Sequence, residues 1–221
     1  CVNDSRSACA STYMYVYKQM YLVRLSTLQQ RYGGRKYPKI DSFETLKAEG
    51  EIFEWKDVPK DSMKIYVSHE WLSNDHADPK GVHTQHLLGI MLRLGKGEFE
   101  VSMDPFHTII YGNSHTTTKG DWERNLNPDS TYIWFDWFCV PSSHREDALR
   151  SVHGYIRRAN FVLTLVPGAK HEDRIDPITN RNANLCFRTY RRRAFCVLDL
   201  FCSFLTTREG ETTQPVLLVR G

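Results

Sequence analysis

Four short apolar segments constrain this chain more than any other feature. They are KIYVS from Lys64, TYIWFDWFCV from Thr131, NFVLTLV from Asn160 and PVLLV from Pro215. None alternates apolar with polar residues. A strand with one face in water alternates, whereas a strand covered on both faces is apolar throughout. Between them lie stretches with helical periodicity: about His83 to Leu94, about Arg145 to Arg158, and about Tyr190 to Thr206. The order strand, helix, strand, helix, strand, helix, strand predicts a parallel sheet of four strands with helices on both faces. In such a sheet a ligand sits at the carboxyl ends of the strands, near the point where strand order reverses.

The residues before Lys64 read differently. Tyr13, Val16, Tyr17, Met20, Tyr21 and Leu25 recur at helical spacing, which predicts one helix over residues 8–32, stopped by Gly33-Gly34. Residues 35–60 are mixed, with a short amphipathic piece around Phe43 to Ala48. The expected organisation is a helical arm and lead-in over 1–60 and one α/β domain over 61–221. Within the domain, TTTKGDWERNL holds a short helix, and AKHEDRIDPITNRNANLC is a polar insertion.

Composition narrows the function classes. A net charge of +3 on 221 residues gives no argument for nucleic acid. No apolar run approaches the roughly 18 residues of a membrane helix. The six cysteines include no CxxC pair, which suits buried free thiols in a reducing, intracellular and cytoplasmic setting, with an organelle left open. The chain opens on Cys1, which reads as a fragment or a processed chain, so an address signal can be missing.

Glycine-rich nucleotide signatures, GxSxG and HExxH are all absent. His69, His76, Asp78, His83 and His86 crowd one region, but their spacing matches no metal-ligand pattern, and polar loop residues are the expected reading. Arg188, Arg191, Arg192 and Arg193 cluster where the last helix begins. Arginines there suit phosphate through forked donors, and a solvated face or an acidic partner suits them equally. Asp136 stands among Trp134, Phe135, Trp137 and Phe138 and must be paired or lie at the strand's end. Glu146 follows Ser143 by three, the capping-box pattern, and it flanks the apolar stripe Ala148, Leu149, Val152, Tyr155 and Ile156.

The ordered set KIYVSHEW (64–71), HADPKG (76–81), YIWFDWFCVP (132–141), REDALRSV (145–152), FVLTLVPGA (161–169), YRRRAFCVLDL (190–200) and PVLLV (215–219) resembles a TIR domain. The likeness is to the divergent TIR-like proteins of algae and other protists. The resemblance implies a flavodoxin-like sheet, with the C-terminal part of the domain truncated or replaced. It implies an NAD-cleaving activity that releases nicotinamide, with NAD as substrate and no metal. It puts the catalytic carboxylate at Glu146, with His69, Trp71, Asp136, Trp137, Arg191 and Arg193 around the substrate. Such a carboxylate stabilises an oxocarbenium-like ribose as the glycosidic bond opens. The alternative within the same resemblance is a non-catalytic scaffold or interaction subunit of a larger assembly, self-associating or docking a partner through its N-terminal helix. Ser142, Phe195, Val197 and Asp199 depart from the Gln, Trp, Arg and Glu that these relatives usually carry, and the changes favour that alternative.

Overall fold

The computed structural model describes residues 19–102, 109, 116–205 and 216–220. The first part of the expected N-terminal helix, and Cys1 and Cys9 with it, lies outside these residues. The elements in chain order begin with β1 (Tyr21–Arg24), α1 (Leu25–Tyr32), α2 (Phe43–Ala48), β2 (Ile52–Glu54) and β3 (Met63–His69). Then come α3 (Val82–Gly95), β4 (Val101–Ser102), β5 (Thr116–Thr117), α4 (Lys119–Asn125), β6 (Thr131–Phe135) and α5 (Asp136–Cys139). The last are α6 (Arg145–Arg158), β7 (Phe161–Val166), β8 (Lys170–Asp176), β9 (Arg181–Asn184), α7 (Phe187–Tyr190), α8 (Ala194–Leu205) and β10 (Val216–Arg220).

The architecture is mixed α/β around a six-stranded, mostly parallel sheet, ordered β10-β7-β3-β6-β1-β2. The four apolar segments form its parallel part, β6, β3, β7 and β10. The chain leaves β3 for β6 on one side and then returns to β7 on the other. A crevice therefore opens at the carboxyl ends of β3 and its neighbours. Alternation along β3 explains why these strands are apolar on both faces. Tyr66 stacks on Trp134 at 4.3 Å and joins Asp199 of α8 on one face. Ile65, one residue earlier, pairs with Phe161, whose ring meets Trp122 of α4 at 4.8 Å on the other.

Two sequence expectations need correction. Residues 21–24 are a strand, not the middle of a helix: β1 pairs antiparallel with β2 on one side and β6 on the other. Leu22 and Val23 are fully buried there, so the sheet outcompetes the local helical spacing. Within the expected arm and lead-in over 1–60, Met20, Leu25, Leu28, Leu46 and Val58 belong to the same hydrophobic cluster as the sheet. The second correction concerns TYIWFDWFCV. The strand stops at Phe135, and Asp136–Cys139 is a helical turn whose Val140 N–H returns to the Asp136 carbonyl. That turn lifts Asp136 off the sheet at its carboxyl end.

The polar insertion after β7 forms a hairpin, β8–β9. It is tied to the loop after β3 by the Glu172 N–H on the Leu72 carbonyl (2.7 Å) and the Asn74 N–H on Asp173 Oδ2 (2.7 Å). Among the described residues, no helix is long and apolar enough to cross a membrane. Of the described cysteines, Cys139 and Cys196 are buried as expected, but Cys186 is exposed.

Candidate functional site

A cavity of about 380 Å³ opens at the carboxyl end of the sheet. Its floor is Tyr66, Ser68 and His69 of β3 with Trp134 of β6, and its walls come from α5, α6, α8 and the β8–β9 hairpin. The volume falls at the low end of the range for small-molecule sites, about 300–1,000 Å³. It suits a nucleoside-sized group more than a whole dinucleotide.

Asp199, Asp136 and Glu70 are the carboxylates among the cavity's lining residues. Asp199 of α8 is only 9% exposed. It accepts hydrogen bonds from the hydroxyls of Tyr66 (3.0 Å) and Ser68, and Ser68 in turn meets the Tyr190 hydroxyl at 2.6 Å. Burial pushes its carboxyl up to about 7, against the pull of the two hydroxyls. No cationic side chain pairs with it among the described residues. Asp136 stands nearer the mouth, its side chain 30% exposed. Trp71 Nε1 and the Trp137 N–H each donate to it at 2.6 Å. Burial raises its carboxyl to about 6, opposed by these two donors and by Arg145.

His69 lies between the sheet and Asp136. Its Nε2 is 3.1 Å from Asp136 Oδ1 but out of line for a hydrogen bond, and both ring nitrogens are buried without a partner among the described residues. Burial holds its pKa well below the ordinary histidine value, so the ring is neutral at pH 7. An orphaned buried imidazole on a cavity wall is costly unless something in the cavity bonds it.

Aromatic side chains line the mouth. Trp71 and Trp137 meet edge to face at 5.9 Å. The Arg145 guanidinium lies 4.9 Å from the Trp71 ring and 5.6 Å from that of Trp137, and His76 stacks on Trp137 at 3.8 Å. Each indole thus already has a ring or a cation against it.

Of the residues expected around a ligand, the fold brings together His69, Trp71, Asp136, Trp137 and Arg193. It separates Arg191, which lies over Phe187 at 4.9 Å and lines a different groove with Arg188 and Arg192. Glu146 is exposed on the first turn of α6, and it is not among the residues that line the cavity. Nor does it close a capping box: α6 begins after His144, and no side chain caps it. The histidine region forms contacts in pairs: the His69 and His83 rings pack at 5.0 Å, and the Asp78 N–H donates to His76 Nδ1 at 3.0 Å. Asp78 accepts from Thr84, His83 meets the Glu70 carbonyl at 2.9 Å, and His86 is exposed. Among the described residues no three His, Cys, Asp or Glu side chains converge to hold a metal.

Glu70, Arg145 and His171 line the cavity without having been expected there, and Asp199, expected near the pocket only as a shortened counterpart of the relatives' Glu, lines it too. For Asp199 a signal existed, an acid inside the apolar run AFCVLDLFC. For His171 none did, because the insertion looks like a solvated loop. No family model, no curated protein and no solved structure matches this chain.

Proposed function

We propose that the cavity binds the ribosyl end of a pyridine nucleotide and opens its N-glycosidic bond, in the manner of an NAD glycohydrolase of the TIR type. One observation carries this reading: Asp199 is a buried carboxylate on the cavity wall with hydroxyl partners and no cationic partner among the described residues. Burying such a charge is unfavourable unless positive charge arrives opposite it. A nicotinamide riboside linkage brings a cationic ring, and its cleavage moves that charge onto the sugar.

The step is simple in its bookkeeping. The bond between ribose C1′ and the nicotinamide nitrogen breaks, and its electron pair stays on the ring, which leaves neutral. A water oxygen adds to C1′, and its proton passes to Asp136 and then to solvent. Asp199 stabilises the cationic sugar from the α8 wall, and His69 offers a neutral donor or acceptor to a ribose hydroxyl. In this assignment the carboxylate is Asp199, and the exposed Glu146 is a surface residue of α6.

The deciding experiment incubates the 221-residue chain with NAD and follows nicotinamide. Release that falls at least about 100-fold in Asp199→Asn while Glu146→Gln keeps wild-type turnover supports the assignment. Loss of turnover in Glu146→Gln with Asp199→Asn unaffected reverses it.

A second reading, a docking module of the same fold, is favoured by the outer side of α8. Leu198, Phe201 and Leu205 there are 41%, 60% and 67% exposed. Concentrated protein that never releases nicotinamide yet elutes as a stable oligomer favours this reading over the first.

A further inference from the structure

The β8–β9 hairpin brings a group of side chains to one rim of the cavity that the reaction does not use. Arg174 of β8 and Arg193, just before α8, both bond the same oxygen of Glu70, through Nη1 at 3.3 Å and Nε at 2.9 Å. Two guanidiniums thus share one carboxylate, and one positive charge is left over. The other carboxylates of β8 are turned to partners of their own: Glu172 to Lys80, Asp173 to the Asn74 N–H, and Asp176 to the N–H groups of Ile178 and Thr179. The two terminal nitrogens of Arg193 make no hydrogen bond among the described residues, and Arg193 lines the cavity.

His171 lies beside them, 1% exposed, and lines the same space. Its Nδ1 accepts the backbone N–H groups of Asp173 (3.1 Å) and Arg174 (3.0 Å). An acceptor Nδ1 in a neutral ring leaves the proton on Nε2, so the ring presents one N–H donor. Asn182 holds the hairpin in shape by donating to the carbonyls of His171 (2.8 Å) and Glu172 (2.7 Å). The adjoining wall supports a ligand independently of this cluster, since both nitrogens of the buried His69 have no partner among the described residues.

We propose that the hairpin builds a phosphate subsite, in which Arg193 and the His171 Nε2–H bind the phosphoryl oxygens of a nucleotide whose ribose occupies the cavity. The forked guanidinium and a fixed N–H donor fit the acceptor geometry of a phosphate, and the surplus charge fits its sign. Arg174 is a positioning residue. It occupies the shared Glu70 oxygen, so that Glu70 anchors the Arg193 side chain at Nε without neutralising it. The inference deepens the proposed function by naming the part of the substrate that is recognised away from the bond that breaks, and it rests on that reading for the identity of the nucleoside.

The test compares nicotinamide riboside with nicotinamide mononucleotide on the full chain at low salt, read by tryptophan fluorescence from Trp71 and Trp137. The mononucleotide is expected to bind at least about 10-fold more tightly. Arg193→Gln should reduce that preference to less than about 3-fold, with the larger loss on the mononucleotide, and Arg193→Lys should fall between, keeping the charge but losing the fork. Equal affinity for the two ligands in the wild type, binding of neither, or an unchanged preference in Arg193→Gln overturns the proposal. Should Arg193→Gln not fold, Arg174→Gln replaces it with the same expected loss. A phosphate preference without nicotinamide release from NAD leaves the subsite standing and removes the reaction. Release without the preference does the reverse.

Discussion

Trp71 Nε1 donates a 2.6 Å hydrogen bond to Asp136 Oδ2 and thereby links the loop after β3 to the first residue after β6. The two strands are parallel neighbours, and their carboxyl ends arrive side by side. The indole N–H favours the charged carboxylate, while burial opposes it. Trp71→Phe keeps a ring against Arg145 and removes the donor. It should move the Asp136 carboxyl upward from about 6, as read by carboxyl carbon chemical shifts against pH. Nicotinamide release at pH 7 should fall about tenfold, in line with losing a hydrogen bond to a charged group. An unmoved or lowered Asp136 titration shows that the bond does not stabilise the anion.

Asp199 sets the pH dependence of the proposed reaction. Its carboxyl is pushed up to about 7, and the ionised form is the one that stabilises a cationic sugar. The rate of nicotinamide release should therefore rise with pH to a plateau, with its midpoint near 7. Asp136 raises the Asp199 carboxyl electrostatically. The midpoint should drop in Asp136→Asn, and a midpoint that moves up instead removes the coupling.

The same group should make the wild type less stable at neutral pH than its amide variant. Below about pH 4 the Asp199 carboxyl holds its proton whether the chain is folded or not. From there to about pH 7 the unfolded carboxyl ionises while the folded one stays protonated, so stability falls as pH rises and then levels off. The effect is on the order of 2–4 kcal/mol for a group this buried. Asp136 acts in the same direction up to about pH 6, and neutral His69 acts oppositely in acid, so the difference between wild type and Asp199→Asn is the useful quantity. Asp199→Asn should melt several degrees higher at pH 7.5 and match wild type near pH 4. A variant less stable at both pH values shows that the Tyr66 and Ser68 hydrogen bonds need the acid itself.

Leu22 tests whether residues 20–58 belong to the domain. It is fully buried in β1, between β2 and β6. Leu22→Ala should cost about 2–5 kcal/mol in urea unfolding, with one cooperative transition. A loss under about 0.5 kcal/mol, the scale of surface substitutions, would mean an arm that folds apart from the sheet.

Gly81 is a second test of how the N-terminal part is fixed. It precedes α3 with φ near +64°, and a Cβ there would lie 2.6 Å from both the side chain and the carbonyl of Pro38. Gly81→Ala should destabilise by at least about 2 kcal/mol, combining the left-handed conformation with a backbone clash. A neutral result in thermal melts would show that the lead-in gives way freely.

The local pattern of the chain is enough to read the parallel part of the sheet, because strands covered on both faces must be apolar and the helices between them must be amphipathic. KIYVS, FVLTLV and the VLLV of the last segment are strands, and the helices around 83–94 and 145–158 fall within a residue or two of their expected ends. The same pattern could not place Tyr21–Arg24, whose apolar spacing fits a helix until β2 and β6 supply hydrogen-bond partners on both sides. It also could not rank the carboxylates. Glu146, Asp136 and Asp199 are each an acid near an apolar run, and sequence carries no measure of which way a helix turns its faces. The crossover from β7 through α8 back to the sheet brings Asp199 to Tyr66 and Ser68, 133 and 131 residues away in the chain. The β8–β9 hairpin similarly carries Arg174 and His171 to the loop after β3, although its sequence reads as solvated loop. Elements and their order follow from local periodicity, which neighbouring residues carry. The composition of the cavity follows from long-range packing, which only the assembled sheet decides.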